Sequence, residues 1–135
     1  MHAFIVDLKN KPGELAKVTE TIANKGVNLT GFTGATCGDS GSLVLTATDE
    51  SGIRGALREG TYTYREVELV TAALPDQPGA IAKVTRKLAD ARLNIEAAIP
   101  TGMSGGNVHI GFVTDDPVKA KEAIKQWLVE PVGAR

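Results

Sequence analysis

One stretch of this chain is written twice. Leu8-Lys-Asn-Lys-Pro-Gly-Glu-Leu-Ala-Lys-Val-Thr19 is answered by Leu74-Pro-Asp-Gln-Pro-Gly-Ala-Ile-Ala-Lys-Val-Thr85, at an offset of about 66 residues. The same offset, read without a gap, carries Asn28 onto Asn94 and Thr48-Asp49 onto Thr114-Asp115, so the repeat runs through several elements rather than one helix. By length alone a chain of 135 residues is one domain. The repeat instead divides it into two units, 1–66 and 67–135.

Each unit opens with a strand, Ala3 to Leu8 and Val67 to Leu74, rich in β-branched residues and ended abruptly by Pro12-Gly13 or Pro78-Gly79. A helix follows. Its apolar residues, Leu15, Val18 and Ile22 in one copy and Ile81, Val84 and Leu88 in the other, recur at three- and four-residue spacing and predict a single stripe packed on a sheet. Gly26 stands where the first helix should end, because glycine takes the left-handed cap at little cost; the second copy has Arg92 there, which predicts a strained or differently shaped cap. Hairpins are expected from Asn28 to Cys37 with Ser42 to Thr48, and from Asn94 to Ile99 with Asn107 to Thr114.

A second helix is clear in the later unit, where Asp116 can cap, Pro117 suits the first turn, and Ala120, Ile124, Trp127 and Leu128 form a stripe. Its counterpart, Gly52 to Glu59, is diluted by Gly52 and Gly55. Tyr62 to Glu66 supplies a fourth strand, and Val129 to Arg135 a second one that Pro131 confines to an edge. The order βαββαβ, twice, predicts an α+β fold of two tandem ferredoxin-like units, each an antiparallel sheet with both helices on one face.

Fifteen basic residues against sixteen acidic ones, without a long run of either sign, leave no footprint for nucleic acid or anionic lipid. The single Cys37 excludes an intramolecular disulfide, and with only His2 and His109 no metal-ligand spacing can be assembled. The start of the chain lacks a secretory signal and no apolar run reaches a membrane-spanning length, so the expectation is a cytoplasmic protein without cofactor, metal or membrane partner. Cys37 and His109 read as ordinary strand residues, and Gly102 to Gly106 as a flexible hairpin, because it lacks the Lys-Ser/Thr and helix start of a phosphate loop. No nucleophile elbow or acid/base pair stands out, which argues against an enzyme.

The run Asn10-Lys11-Pro12-Gly13-Glu14-Leu15-Ala16-Lys17-Val18 followed by Gly26-Val27-Asn28-Leu29 resembles the signature of the ACT domain family, and Asp76 to Val84 with Leu93-Asn94-Ile95 resembles it again. The likeness covers nearly the whole chain. It implies a regulatory protein that binds an amino acid or related small metabolite at domain interfaces, is a homodimer, and passes occupancy to itself or to a separate metabolic enzyme. The alternative on the same fold is a structural or interaction module without a ligand. In the serine-inhibited phosphoglycerate dehydrogenases of that family, an Asn before the Pro-Gly and another opening the next strand contact the effector. The resemblance therefore points to Asn10 and Asn28, and to Asp76 and Asn94. Those enzymes also use a His two positions before the first Asn, where this chain has Leu8 and Leu74, so serine is not implied as the ligand.

A turn that opens a helix exposes its first backbone N–H groups at the positive end of the helix dipole, here Gly13, Glu14 and Leu15, or Gly79, Ala80 and Ile81. A ligand carboxylate can settle there, on a turn that Pro12 or Pro78 stiffens beforehand. For an α-ammonium, Asn10 offers an amide oxygen and Asp76 a charge, which predicts the better zwitterion site at Asp76. Asn10, Asp76, Asn28 and Asn94 fit equally the turn-capping roles that Asx residues take, and local sequence does not separate the two.

Overall fold

Alternation places Phe4, Val6 and Leu8 on one face of the opening strand, and that face decides how the first unit closes. The unit comprises β1 (His2–Lys9), α1 (Glu14–Ala23), β2 (Leu29–Cys37), β3 (Ser40–Ala47), α2 (Glu50–Glu59) and β4 (Tyr64–Glu68), with strand order β2-β3-β1-β4. Strand β1 runs antiparallel to β3, Phe4 opposite Leu45 and Val6 opposite Leu43. Val18 and Ile22 of α1 and Ile53, Ala56 and Leu57 of α2 close over those side chains, so both helices lie on one face. The computed structural model describes residues 1–129, which divide into two compact units, His2–Val67 and the residues from Glu68 on with Met1.

The second unit repeats the plan with β5 (Val70–Pro75), α3 (Ala80–Asp90), β6 (Ile95–Ser104), β7 (Asn107–Thr114), α4 (Pro117–Ala123) and a 3-10 turn at Lys125–Trp127. Its strands are ordered β5-β7-β6. Beyond β5, Leu128 bridges antiparallel to Ala72, and the Val129 N–H donates to the Thr71 carbonyl at 3.0 Å, in the place β4 occupies beside β1. The rest of the strand expected over Val129 to Arg135 lies outside the described residues. The core gathers Val70, Ala72, Leu74, Val84, Leu88 and Phe112 against Ala120 and Ile124. The architecture is α+β, two ferredoxin-like βαββαβ units with antiparallel sheets.

Several sequence expectations change. The apolar stripe of each first helix is shorter than predicted: Val18, Ile22, Val84 and Leu88 are buried, but Leu15 is 47% exposed and Ile81 57%. Both lie in the first turn, one residue past the first position of the helix. Val67 and Glu68 belong to β4, and β5 starts only at Val70.

The offset is not constant either. It is about 66 at the start of β6, but the capping residues of α2 and α4 are Asp49 and Asp116, one residue further apart. The extra residue sits in β6, where pairing with β7 shifts between Pro100 and Gly102. Proline lacks the N–H that a regular ladder would use, so a bulge is tolerated there. Thr101, between them, is buried and its hydroxyl donates to the His109 carbonyl at 3.4 Å. Thr48-Asp49 therefore does not map onto Thr114-Asp115 in space.

The helix ends repeat one geometry with different residues. Gly26 has φ 73° and Arg92 φ 60°, so arginine adopts the left-handed cap rather than a new shape. Helix α2 begins earlier than expected because the Asp49 side chain accepts from the Gly52 N–H at 2.9 Å. A Cβ on Gly52 would collide with Asp49 and Val27, so that glycine is required rather than a dilution. Gly55 has open space around it and an ordinary φ, whereas Gly13 stands at φ 90°. Gly55→Ala is expected to stabilise the protein by about 0.5–1 kcal/mol, and Gly13→Ala to destabilise it by about 1–2 kcal/mol. Urea denaturation of the two variants beside the parent tests that opposition of sign.

Candidate functional site

The four helices start in two ways. Those after the hairpins are capped by a carboxylate, Asp49 on α2 and Asp116 on α4, the latter accepting from the Lys119 N–H at 3.1 Å. Those after the Pro-Gly turns begin at Gly13 (φ 90°) and Gly79 (φ 87°), with no side-chain cap. The Glu14 N–H donates to the Lys11 carbonyl at 3.4 Å and the Ala80 N–H to the Gln77 carbonyl at 3.3 Å, so the amides left for another acceptor are the next ones, at Leu15 and Ala16 in α1 and at Ile81 and Ala82 in α3.

At α1 these amides border a hollow of about 420 Å³ between the helix start and the sheet. Leu8, Leu43, Gly34 and Gly41 line it from the strands, Leu15 and Glu14 from the helix, and Phe32 of edge strand β2 stands beside them, 62% exposed. A side chain on Gly41 would approach the Ala35 carbonyl to 2.9 Å, so the β2–β3 ladder leaves no room for one at that position. Lys9, Asn10 and Lys11 also line it, and Lys11 pairs with Glu14 at 3.5 Å.

Asn10 has a structural task. Its side-chain N–H donates to the Gly38 carbonyl at 2.9 Å and its backbone N–H to the Asp39 carbonyl at 2.9 Å, tying the start of the helix turn to the β2–β3 hairpin. Its amide oxygen accepts no bond from a described residue.

Of the residues singled out in the first unit, the hollow brings together Asn10, Glu14 and Leu15. Pro12 and Gly13 shape the turn without lining it. Asn28 is not among them: it precedes β2, whose Leu29 pairs with Ala47, at the end of the sheet opposite Lys9 and Ser40. In the second unit Asp76, Pro78 and Gly79 form the matching turn, with the Asp76 N–H donating to the Gly106 carbonyl at 3.4 Å. Ala80 is buried where Glu14 has a carboxylate, and Ile81 is exposed like Leu15. Asn94 again lies at the far end, its backbone N–H donating to Asp115 Oδ1 at 3.0 Å. The pairs Asn10 with Asn28, and Asp76 with Asn94, are therefore not joined within a unit. Phe32 and Leu43 were missed by sequence reasoning; the available signal was a lone aromatic between glycines in Leu29-Thr-Gly-Phe-Thr-Gly34.

With this geometry, the likenesses to known proteins can be placed. No protein-family model matches the chain. A solved protein of Bacteroides thetaiotaomicron superposes with a TM-score of 0.80 at 25% identity, over 95% of this chain and 90% of its own. The regulatory subunit of aspartate kinase from Thermus thermophilus superposes with a TM-score of 0.61 at 19% identity, over 93% of this chain and 91% of that one. The fold is the one shared with these proteins, as the ACT resemblance in the sequence implied. A Corynebacterium efficiens aspartokinase is 30% identical over 93 residues, 65% of this chain; the match spans 22% of that enzyme's length.

Elsewhere in the first unit, a polar cluster invisible in the linear spacing gathers at His2, Glu50 and Glu66, with ligand-type atoms within 4.8 Å of one another. Its chemistry is that of an ion-pair network. Arg54 engages both Glu66 oxygens, Nη2 at 2.5 Å and Nε at 3.4 Å, while His2 donates its backbone N–H to Glu50 at 2.9 Å. The Arg54 hydrogen bond holds the Glu66 carboxyl below its ordinary pKa. Because the folded state favours the ionised form, this contribution is complete above the ordinary carboxylate range and is lost as pH falls through the lowered value. Glu66→Gln is expected to lower stability at pH 7 and to match the parent in strong acid, below about pH 3; denaturant midpoints at the two pH values measure the difference.

Proposed function

We propose that this tandem ACT protein is a non-catalytic regulator that binds an amino acid or closely related metabolite in the hollow beneath the start of α1. The observation carrying this reading is the uncapped first turn of α1 opening beside a partly apolar hollow that also holds a carboxylate, Glu14, and an amide oxygen, Asn10. A ligand carboxylate accepts from the Leu15 and Ala16 amides at the positive helix end, the α-ammonium donates to Glu14 and Asn10, and the side chain lies among Leu8, Leu15, Phe32 and Leu43. The fold shared with an aspartate kinase regulatory subunit supports a regulatory role. In this reading Glu14, rather than Asp76, provides the charge, and occupancy acts on a homodimer or a separate metabolic enzyme through different affinities for two states.

Leu15 and Phe32 also favour a second reading, because two exposed apolar side chains beside an open edge strand suit assembly with another copy whether or not a ligand is present. A thermal-shift screen against the twenty amino acids, followed by calorimetry, separates the two. Ligand at a hundred times its Kd should stabilise the folded state by about 2.7 kcal/mol, and Glu14→Gln should weaken binding by about tenfold. A flat screen with a firm oligomer in sedimentation would leave the assembly reading.

A further inference from the structure

The outer face of α3 and the 3-10 turn at Lys125–Trp127 frame a second hollow, of about 450 Å³, on the later unit. Ala82 and Trp127 provide its apolar lining, and Lys83, Arg86 and Lys87 stand around them, all three exposed. None of the three forms an ion pair with a described residue, although Lys11, Lys25, Arg54, Lys121 and Lys125 each find a carboxylate. Asp90, one turn beyond Arg86, does not pair with it either.

The repeat provides an internal control. At matched positions α1 has Lys17, Glu20, Thr21 and Asn24 where α3 has Lys83, Arg86, Lys87 and Asp90. Both helices bury the same kind of apolar residue on the other side, so the added cations are not required by the fold. Lys87 also offsets the negative end of the helix dipole, but Arg86 in mid-helix has no such role.

We propose that this face is a docking surface for an acidic, extended segment of a partner protein. The hollow is shallow and open, unlike the enclosed sites that bury most of a small ligand. The lining carries three cations, Lys83, Arg86 and Lys87, against one carboxylate, Asp90, beside Trp127, and Trp and Arg are the anchors that protein-docking sites favour. Lys83 and Lys87 are separated by about 6 Å along the helix axis. Alternate residues of an extended chain project to one side about 6.6–6.8 Å apart. Two carboxylates in a Glu-x-Glu segment thus match the spacing of Lys83 and Lys87, and an adjoining apolar residue of the segment suits Trp127 in the same hollow. This proposal is independent of whether the hollow under α1 holds a ligand.

Trp127 is the only tryptophan of the chain, so its emission reports on this surface alone. The full chain is titrated with the peptide Leu-Ser-Glu-Ser-Glu. A saturable change in emission below about 1 mM is expected, weaker as salt rises. Lys83→Glu combined with Arg86→Glu should weaken it at least about tenfold at an unchanged melting temperature, whereas Lys17→Glu on the first unit should leave it as it is. No saturation in that range, equal binding of the Leu-Ser-Gln-Ser-Gln peptide, or equal binding by the charge-reversed variant would overturn the proposal. Inorganic triphosphate binding more tightly than the peptide would overturn the occupant in favour of a small-anion site.

Discussion

The left-handed glycine after each proline is the constraint on which both units depend. Pro12 fixes its own φ and lacks an N–H, so the reversal from β1 into α1 falls on the next residue, and Gly13 takes it at φ 90°. With no side chain at that point, the first helical turn has no side-chain cap. In the first unit Leu15 stays outside the core, and the space between the helix start and the sheet becomes the hollow. Where the chain turns at an aspartate instead, as before α2 and α4, the same backbone donors are consumed internally. One pair of turns therefore closes with a side-chain cap, and the other is left without one.

The architecture was legible because two copies had to agree. Strand, Pro-Gly turn and helix recur in phase, and buried Val18, Ile22, Val84 and Leu88 follow the spacing directly. Leu15 and Ile81 share that spacing yet remain exposed, since periodicity states which side of a helix is apolar but not how far the sheet extends beneath it. The candidate site was half legible. Asn10, Glu14 and Leu15 are adjacent in sequence and meet in space, while Phe32 and Leu43 join them through strand register, which is set by long-range pairing. Asn28 shares the signature with Asn10 but stands at the opposite end of the sheet, because β2 runs the length of β1 before returning beside Lys9 through the hairpin.

Duplication also separates what the fold needs from what it tolerates. Gly26 and Arg92 hold the same left-handed cap, so glycine is a convenience there. Glu14 becomes Ala80, which joins the core, whereas Glu20 and Thr21 become Arg86 and Lys87 without altering the buried Val18 and Ile22 or their counterparts Val84 and Leu88. The copies conserve geometry and differ in charge, as expected if each scaffold presents its own surface chemistry.

The bulge at Thr101 restricts how such a protein can be recombined. A period of two gives every strand residue a fixed side of the sheet, and one added residue reverses that assignment for all that follow until a kink absorbs it. Here the kink lies between Pro100 and Gly102, so the halves of the two units have ceased to be interchangeable parts. A chimera crossing over within β2 or β6 would inherit either the extra residue without its kink or the kink without its residue. Crossovers that respect the register must fall ahead of the bulge with the whole hairpin carried along, which makes the hairpin, and not the strand, the smallest unit in which this fold can be shuffled.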